Sequence, residues 1–142
     1  NGSASNKTGM AEGEIVGGNL AVLCGLVGTT DMPDYADKIL FLEEVGEHLY
    51  ALDRMFYQLE KSGILDQIRG LVLGSFSNTK DTEVPFGKTV EEIILAHFQY
   101  RNIPIAFNFP AGHIDDNRAL KLGKNTLFTV SEEECSLDEL DD

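Results

Sequence analysis

The sequence predicts an α/β domain built on a mixed sheet. Three observations carry that expectation. Short apolar runs of the kind found in buried strands recur at 38–43, 70–73 and 103–107. Between them lie segments with apolar residues at helical spacing, 49–59 and 90–97. The last part holds two short runs, 118–122 and 126–130, joined at Gly123-Lys124-Asn125, a turn signal that adds antiparallel pairing to a strand–helix alternation.

Taken in order, residues 1–13 (NGSASNKTGMAEG) are rich in Gly, Ser and Asn, show no hydrophobic period and read as a linker. A short strand at 14–16 runs into Gly17-Gly18-Asn19 and the apolar block 20–27, a short buried helix with Asn19 as its N-cap. The glycine pair suits tight strand–helix packing and also permits a backbone approach to an anion. KILFLE at 38–43 is apolar on both faces, as an interior strand is. Leu49, Leu52, Phe56 and Leu59 mark a helix face, with Gly63 as the stop. Thr89 and Glu92 have capping-box spacing at the head of a further helix. After 130 the chain reads as a disordered acidic tail, so the domain proper is expected at 14–130.

The 142 residues are enough for one core, and 42% hydrophobic with 25% charged residues is ordinary globular composition. The net charge is −13, and seven of the acids lie in 131–142 with no base among them. No basic footprint exists for nucleic acid or an anionic membrane. No apolar stretch approaches the length that spans a bilayer. Cys24 and Cys135 are too few for a disulfide scaffold and have neither zinc nor redox spacing.

Chemistry is expected at strand ends. Glu43 and Glu44 close the KILFLE strand, and His113 follows Phe109-Pro110-Ala111-Gly112. A carboxylate that fixes an imidazole, which in turn takes a proton from a nucleophile, makes two thirds of a triad. The nucleophile is not visible. Serines 3, 5, 62, 75, 77, 131 and 136 include no G-x-S-x-G elbow, and Ser75 in Gly74-Ser75-Phe76-Ser77 lacks the second glycine. A metal set of His113, Asp115, Asp116 and Glu43 is the weaker competitor, since no second histidine stands at ligand spacing. His48 precedes a helix and His97 extends a helix's apolar face, so both read as structural. On spacing alone, an ordinary exposed or core-satisfied His113 is the stronger reading.

Four segments in order then resemble the C-terminal half of the LD-carboxypeptidases, or muramoyltetrapeptide carboxypeptidases, a serine peptidase family that includes the microcin C self-immunity hydrolases. They are GEIVGGNL at 13–20, ILFLEEVGE at 39–47, YALDRM at 50–55, and FPAGH at 109–113 leading to Asn117 and LKLG at 120–123. The resemblance implies a swivelling β/β/α domain, the C-terminal half of a two-domain enzyme. It implies a Ser–His–Glu triad, with Glu43 orienting, His113 as base then acid, and the serine on an N-terminal domain preceding Asn1. Strand alternation lets only one of Glu43 and Glu44 face the site. The implied reaction is removal of the terminal D-alanine from a muropeptide tetrapeptide in cytoplasmic peptidoglycan recycling. No metal or organic cofactor is needed, Asn19 is a substrate-binding candidate, and a homodimer is admitted. A seam for the serine domain is expected around 17–19, 43–46 and 109–113. Three positions depart from the family pattern: Lys121 where Pro is frequent, His48 where a small residue is frequent, and Ile114 where Gly is frequent. The alternatives are a microcin-immunity-type hydrolase, against which the absence of Trp counts as a missing adenine platform, and a non-catalytic binding domain.

Overall fold

The computed structural model describes residues 3–141. Its strands are β1 (Gly9–Asn19), β2 (Ile39–Val45), β3 (Gly70–Ser77), β4 (Ile105–Ala106), β5 (Asn125–Val130) and β6 (Cys135–Glu139). They form a mixed sheet in the order β4-β3-β2-β1-β5-β6. The helices are α1 (Leu20–Leu26), α2 (Leu49–Lys61) and α3 (Val90–Ala96). The expected α/β class with mixed pairing is what the chain adopts.

β1 joins the two halves of the sheet. Its Ile15–Asn19 portion runs parallel to β2, and its Gly9–Glu14 portion runs antiparallel to β5. β2, β3 and β4 continue the parallel half, while β5 and β6 form the antiparallel arm. Alternation along β2 divides the core. Leu40 and Leu42 face the helices with Leu20, Leu52, Phe56 and Phe98. Ile39 and Phe41 face the other way, where Phe128, Val130 and Ala111 close over them. The antiparallel arm and the 108–122 segment therefore cover the face opposite the helices. Phe128 is fully buried, and a Cβ at Gly70 would stand 2.8 Å from its ring, so that strand must be bare there. Burying a side chain of this size contributes about 1.5–3 kcal/mol.

The expected caps form. Asn19 Oδ1 accepts from Val22 N at 3.1 Å at the head of α1. Thr89 and Glu92 close a reciprocal capping box, with Glu92 N donating to Thr89 Oγ1 at 3.1 Å and Thr89 N donating to Glu92 Oε2 at 3.0 Å.

Three segments differ in kind from the sequence expectation, while β2 and β3 run on to Val45 and Ser77 and β4 keeps only Ile105–Ala106. Residues 9–13 are not linker but the first half of β1, and 3–8 are anchored too. Lys7 exchanges backbone hydrogen bonds with Ile105, and Asn6 Oδ1 accepts from Phe107 N at 2.9 Å. Residues 1 and 2 of the expected linker lie outside the described residues. The expected disordered tail instead supplies β6, which pairs with all of β5 except Asn125. Ser131 N donates to Glu134 O to close the turn, and Lys121 and Lys124 offset Glu139 at 2.6 and 3.9 Å. Residue 142 of that tail is outside the described residues. The 118–122 segment is no strand, because β1 and β6 already occupy both edges of β5.

Gly17 has φ +150°, and a Cβ there would overlap the carbonyl oxygen of Phe41, its register partner on β2. Gly17→Ala should therefore part the β1–β2 ladder and lower stability by about 2–4 kcal/mol. The neighbouring Gly25→Ala, inside α1 with open space around its Cβ, should be neutral or stabilising. Urea denaturation of both variants beside the parent checks the contrast.

Candidate active site

Parallel pairing brings the C-terminal ends of β1, β2 and β3 to one edge of the sheet. Asn19 and Glu43 are register partners there. After β4 the chain turns back over that edge. Phe109 N donates to Leu73 O and Ser75 N donates to Ala111 O, both at 2.9 Å, which sets the 109–113 segment against β3. Gly112 N donates to Asn117 Oδ1 at 3.0 Å, and Ser77 Oγ reaches His113 O at 3.3 Å.

That segment delivers His113 to Glu43, with Nδ1 to Oε2 at 2.9 Å. The Glu43 side chain is 9% exposed and the imidazole 59%. A carboxylate only accepts, so Nδ1 carries the hydrogen, and Nε2 is left uncommitted among the described residues. The pair lines an open depression of about 390 Å³ with Gly18, Phe41, Asn117, Arg118, Leu120 and Leu122. Both apolar and polar side chains line it, and Leu122 is 50% exposed. Of the expected seam, Gly18, Glu43 and 111–113 border this depression. The glycine pair divides its roles: Gly17 packs on β2, whereas Gly18 has no atom near its missing side chain and opens on the depression.

The two adjacent glutamates have separate environments. Glu44 accepts from Asn19 Nδ2 at 2.8 Å, Ala21 N at 2.9 Å and Val45 N at 2.9 Å. It ties the end of β2 to the head of α1 and has no contact with His113. Asn19 thus has both side-chain polar atoms engaged within the chain, while one amide hydrogen remains for another partner. Burial, then the Glu44 charge, push the Cys24 thiol up to about 11, which leaves it protonated and unreactive near neutral pH. Asp116 is engaged by Arg118 at 3.1 Å, and among the described residues no three His, Cys, Asp or Glu side chains group as metal ligands.

Sequence similarity agrees with the fold. The family profile described as LD-carboxypeptidase C-terminal domain matches residues 12–127. The chain belongs to the LD-carboxypeptidase family. Over 118 residues this LD-carboxypeptidase domain is 35% identical to the murein tetrapeptide carboxypeptidase of Pseudomonas aeruginosa, covering 82% of this chain and 38% of that protein. A Synechocystis protein carrying a carboxypeptidase name is 40% identical over 118 residues, 81% of this chain and 38% of its own. The crystal structure of muramoyltetrapeptide carboxypeptidase from Oxalobacter formigenes superposes with a TM-score of 0.89 at 34% identity, over 99% of this chain and 48% of that one. The domain therefore spans less than half the length of these relatives. No helix among the described residues is long and apolar enough to cross a membrane.

His97, read from sequence as a bland extension of a helix face, is buried between two carboxylates. Its Nδ1 meets Glu60 Oε2 at 2.9 Å and its Nε2 meets Asp53 Oδ1 at 3.0 Å. Tyr57 stands edge-on to the ring at 4.6 Å, and Arg101 reaches Glu60 and Asp66. Each ring nitrogen faces a carboxylate, and the ring so clamps the end of α3 to α2. The hydrogen bond from His97, then the charges of His97 and Arg101, hold the Glu60 carboxyl below its usual range. A depressed carboxyl pKa contributes stability above the ordinary glutamate range near 4.3, and that contribution is lost as pH falls through the lower folded value. His97→Gln should cost about 2–4 kcal/mol near pH 6 and flatten the loss of stability below about pH 4. Chemical denaturation across pH 3–7 measures both; an unchanged acid slope would remove His97 as the group that holds Glu60.

Proposed function

We propose that this chain is the His- and Glu-bearing domain of a bacterial serine LD-carboxypeptidase that releases the terminal D-alanine of muropeptide tetrapeptides in cytoplasmic peptidoglycan recycling. The observation that carries the reading is the 2.9 Å bond between the nearly buried Glu43 and the exposed His113 beside an open depression. The names of the Pseudomonas aeruginosa and Oxalobacter formigenes relatives, and their greater length, support it.

In this mechanism the serine belongs to a separate N-terminal domain docked over the depression. His113 Nε2 takes the proton of the serine hydroxyl as it attacks the carbonyl of the scissile amide. Glu43 holds the ring in the Nδ1–H tautomer and stabilises the imidazolium. The proton passes to the departing amine of D-alanine, and water then cleaves the acyl-enzyme by the same base. No metal or organic cofactor takes part. The remaining amide hydrogen of Asn19 is the proposed substrate contact.

Three substitutions test the assignment in the polypeptide that carries this domain together with its serine-bearing domain. His113→Ala and Glu43→Gln should each lower D-alanine release by roughly 1,000-fold or more while the fold survives. Glu44→Gln should lower the melting temperature, because an amide nitrogen meets donors it cannot accept from, with little effect per folded molecule. The 142-residue chain by itself should release none, for want of a nucleophile. Loss confined to the Glu44 variant, or turnover by the isolated chain, overturns the proposal. An aminoacyl sulfamoyl nucleoside in the same assay reads out the microcin-immunity alternative.

A further inference from the structure

Ser75 holds a buried hydroxyl with no hydrogen-bond partner among the described residues, at a register shift between β2 and β3. On β2 and β3, Leu42 is opposite Leu73 and Glu44 is opposite Phe76. Gly74 and Ser75 therefore stand against the single residue Glu43, which is a β-bulge. The bulge turns the Ser75 backbone away from β2, so that its N–H donates to Ala111 O at 2.9 Å. The residue is 9% exposed and its Oγ is without a partner.

The hydroxyl borders a small space that a side chain at position 112 would fill. Gly112 has φ +123°, and a Cβ there would overlap Ser75 Oγ while lying 3.2 Å from Glu43 Cβ and 3.4 Å from Glu43 Oε2. Ser75 and the Glu43 carboxylate thus flank the bare face of Gly112. Glu43 is almost as buried as Glu44, yet the two differ in support. Glu44 accepts three hydrogen bonds from the protein, whereas Glu43 accepts the one from His113 among the described residues. A buried carboxylate takes several donors when they are within reach, and the uncommitted donor beside Glu43 is Ser75.

We propose that Ser75 is a positioning residue of the active site: its hydroxyl donates to the Glu43 carboxylate across the bare face of Gly112 as His113 becomes the imidazolium. This rests on the reading of Glu43 and His113 as a catalytic pair. A side-chain rotation brings the hydroxyl onto the carboxylate, which is then held in the plane that His113 Nδ1–H needs. Ser75 touches neither substrate nor the transferred proton. An unpartnered buried hydroxyl lowers the stability of the resting fold, so a purely structural serine here would be replaced by alanine without loss.

The test is a cycle of Ser75→Ala, Glu43→Gln and the double variant in the two-domain polypeptide, with His113→Ala as reference, assayed by D-alanine release and thermal unfolding. Ser75→Ala should keep or raise the melting temperature, lower kcat about 10-fold and leave KM within about twofold. It should cause no further loss in the Glu43→Gln background, because it acts through Glu43. Full kcat in Ser75→Ala, or an equal loss in both backgrounds, overturns the proposal. If His113→Ala and Glu43→Gln retain activity, it is the catalytic-pair reading itself that falls, and the Ser75 role with it.

Discussion

The chain's architecture depends on a single strand having two kinds of neighbour. β1 takes β5 antiparallel along its first half and β2 parallel along its second. The parallel half fixes which edge of the sheet collects strand ends, and so where Asn19, Glu43 and Ser75 stand. The antiparallel half swings β5 and β6 over the sheet face opposite the helices, where Phe128 seals the second core. The switch works because Gly17 lets β1 lie against the Phe41 carbonyl without a side chain between them.

The same edge shows how adjacent identical residues acquire different chemistry. Glu44 is enclosed by two backbone N–H groups and the Asn19 amide, a neighbourhood that holds a carboxylate still and gives it nothing to do. Glu43, one pleat away, is as buried but faces an exposed imidazole beside a depression. Side-chain alternation alone separates a fastening from a carboxylate that faces the depression, as the spacing of the pair in the sequence requires.

What was legible in the sequence is what local physics determines. The interior strand read at 38–43, the helix face at 49–59, the Asn19 cap and the Thr89–Glu92 box each follow from residues within a turn or two of one another. The first half of β1 and all of β6 were not, because their order comes from partners on β5, for β1 more than a hundred residues away, and neither segment carries a strong apolar period. Leu120 and Leu122 imitate strand alternation, but Leu120 packs on the second core and Leu122 borders the depression. Strand-end reasoning and the family resemblance singled out Glu43 and His113, which the fold brings within hydrogen-bond distance. Ser75 lacked the glycine of a nucleophile elbow, and the bulge that aims it shows in the sequence only as Gly74 inside a strand. The partners of His97 had a faint signal: Asp53 and Glu60 are seven apart on α2, and so share a helix face.

β6 is an edge strand, and its free backbone groups would template a further strand from a second molecule. The acids that gave the C-terminal segment its polar look bear on that hazard. Asp138 and Glu139 lie on the strand itself, with Glu132, Glu133 and Glu134 in the turn before it. Two such edges brought together would add the negative charge of Asp138 and of the 132–134 turn to each other's surroundings. Acids on and beside an edge strand disfavour edge-to-edge pairing of that strand.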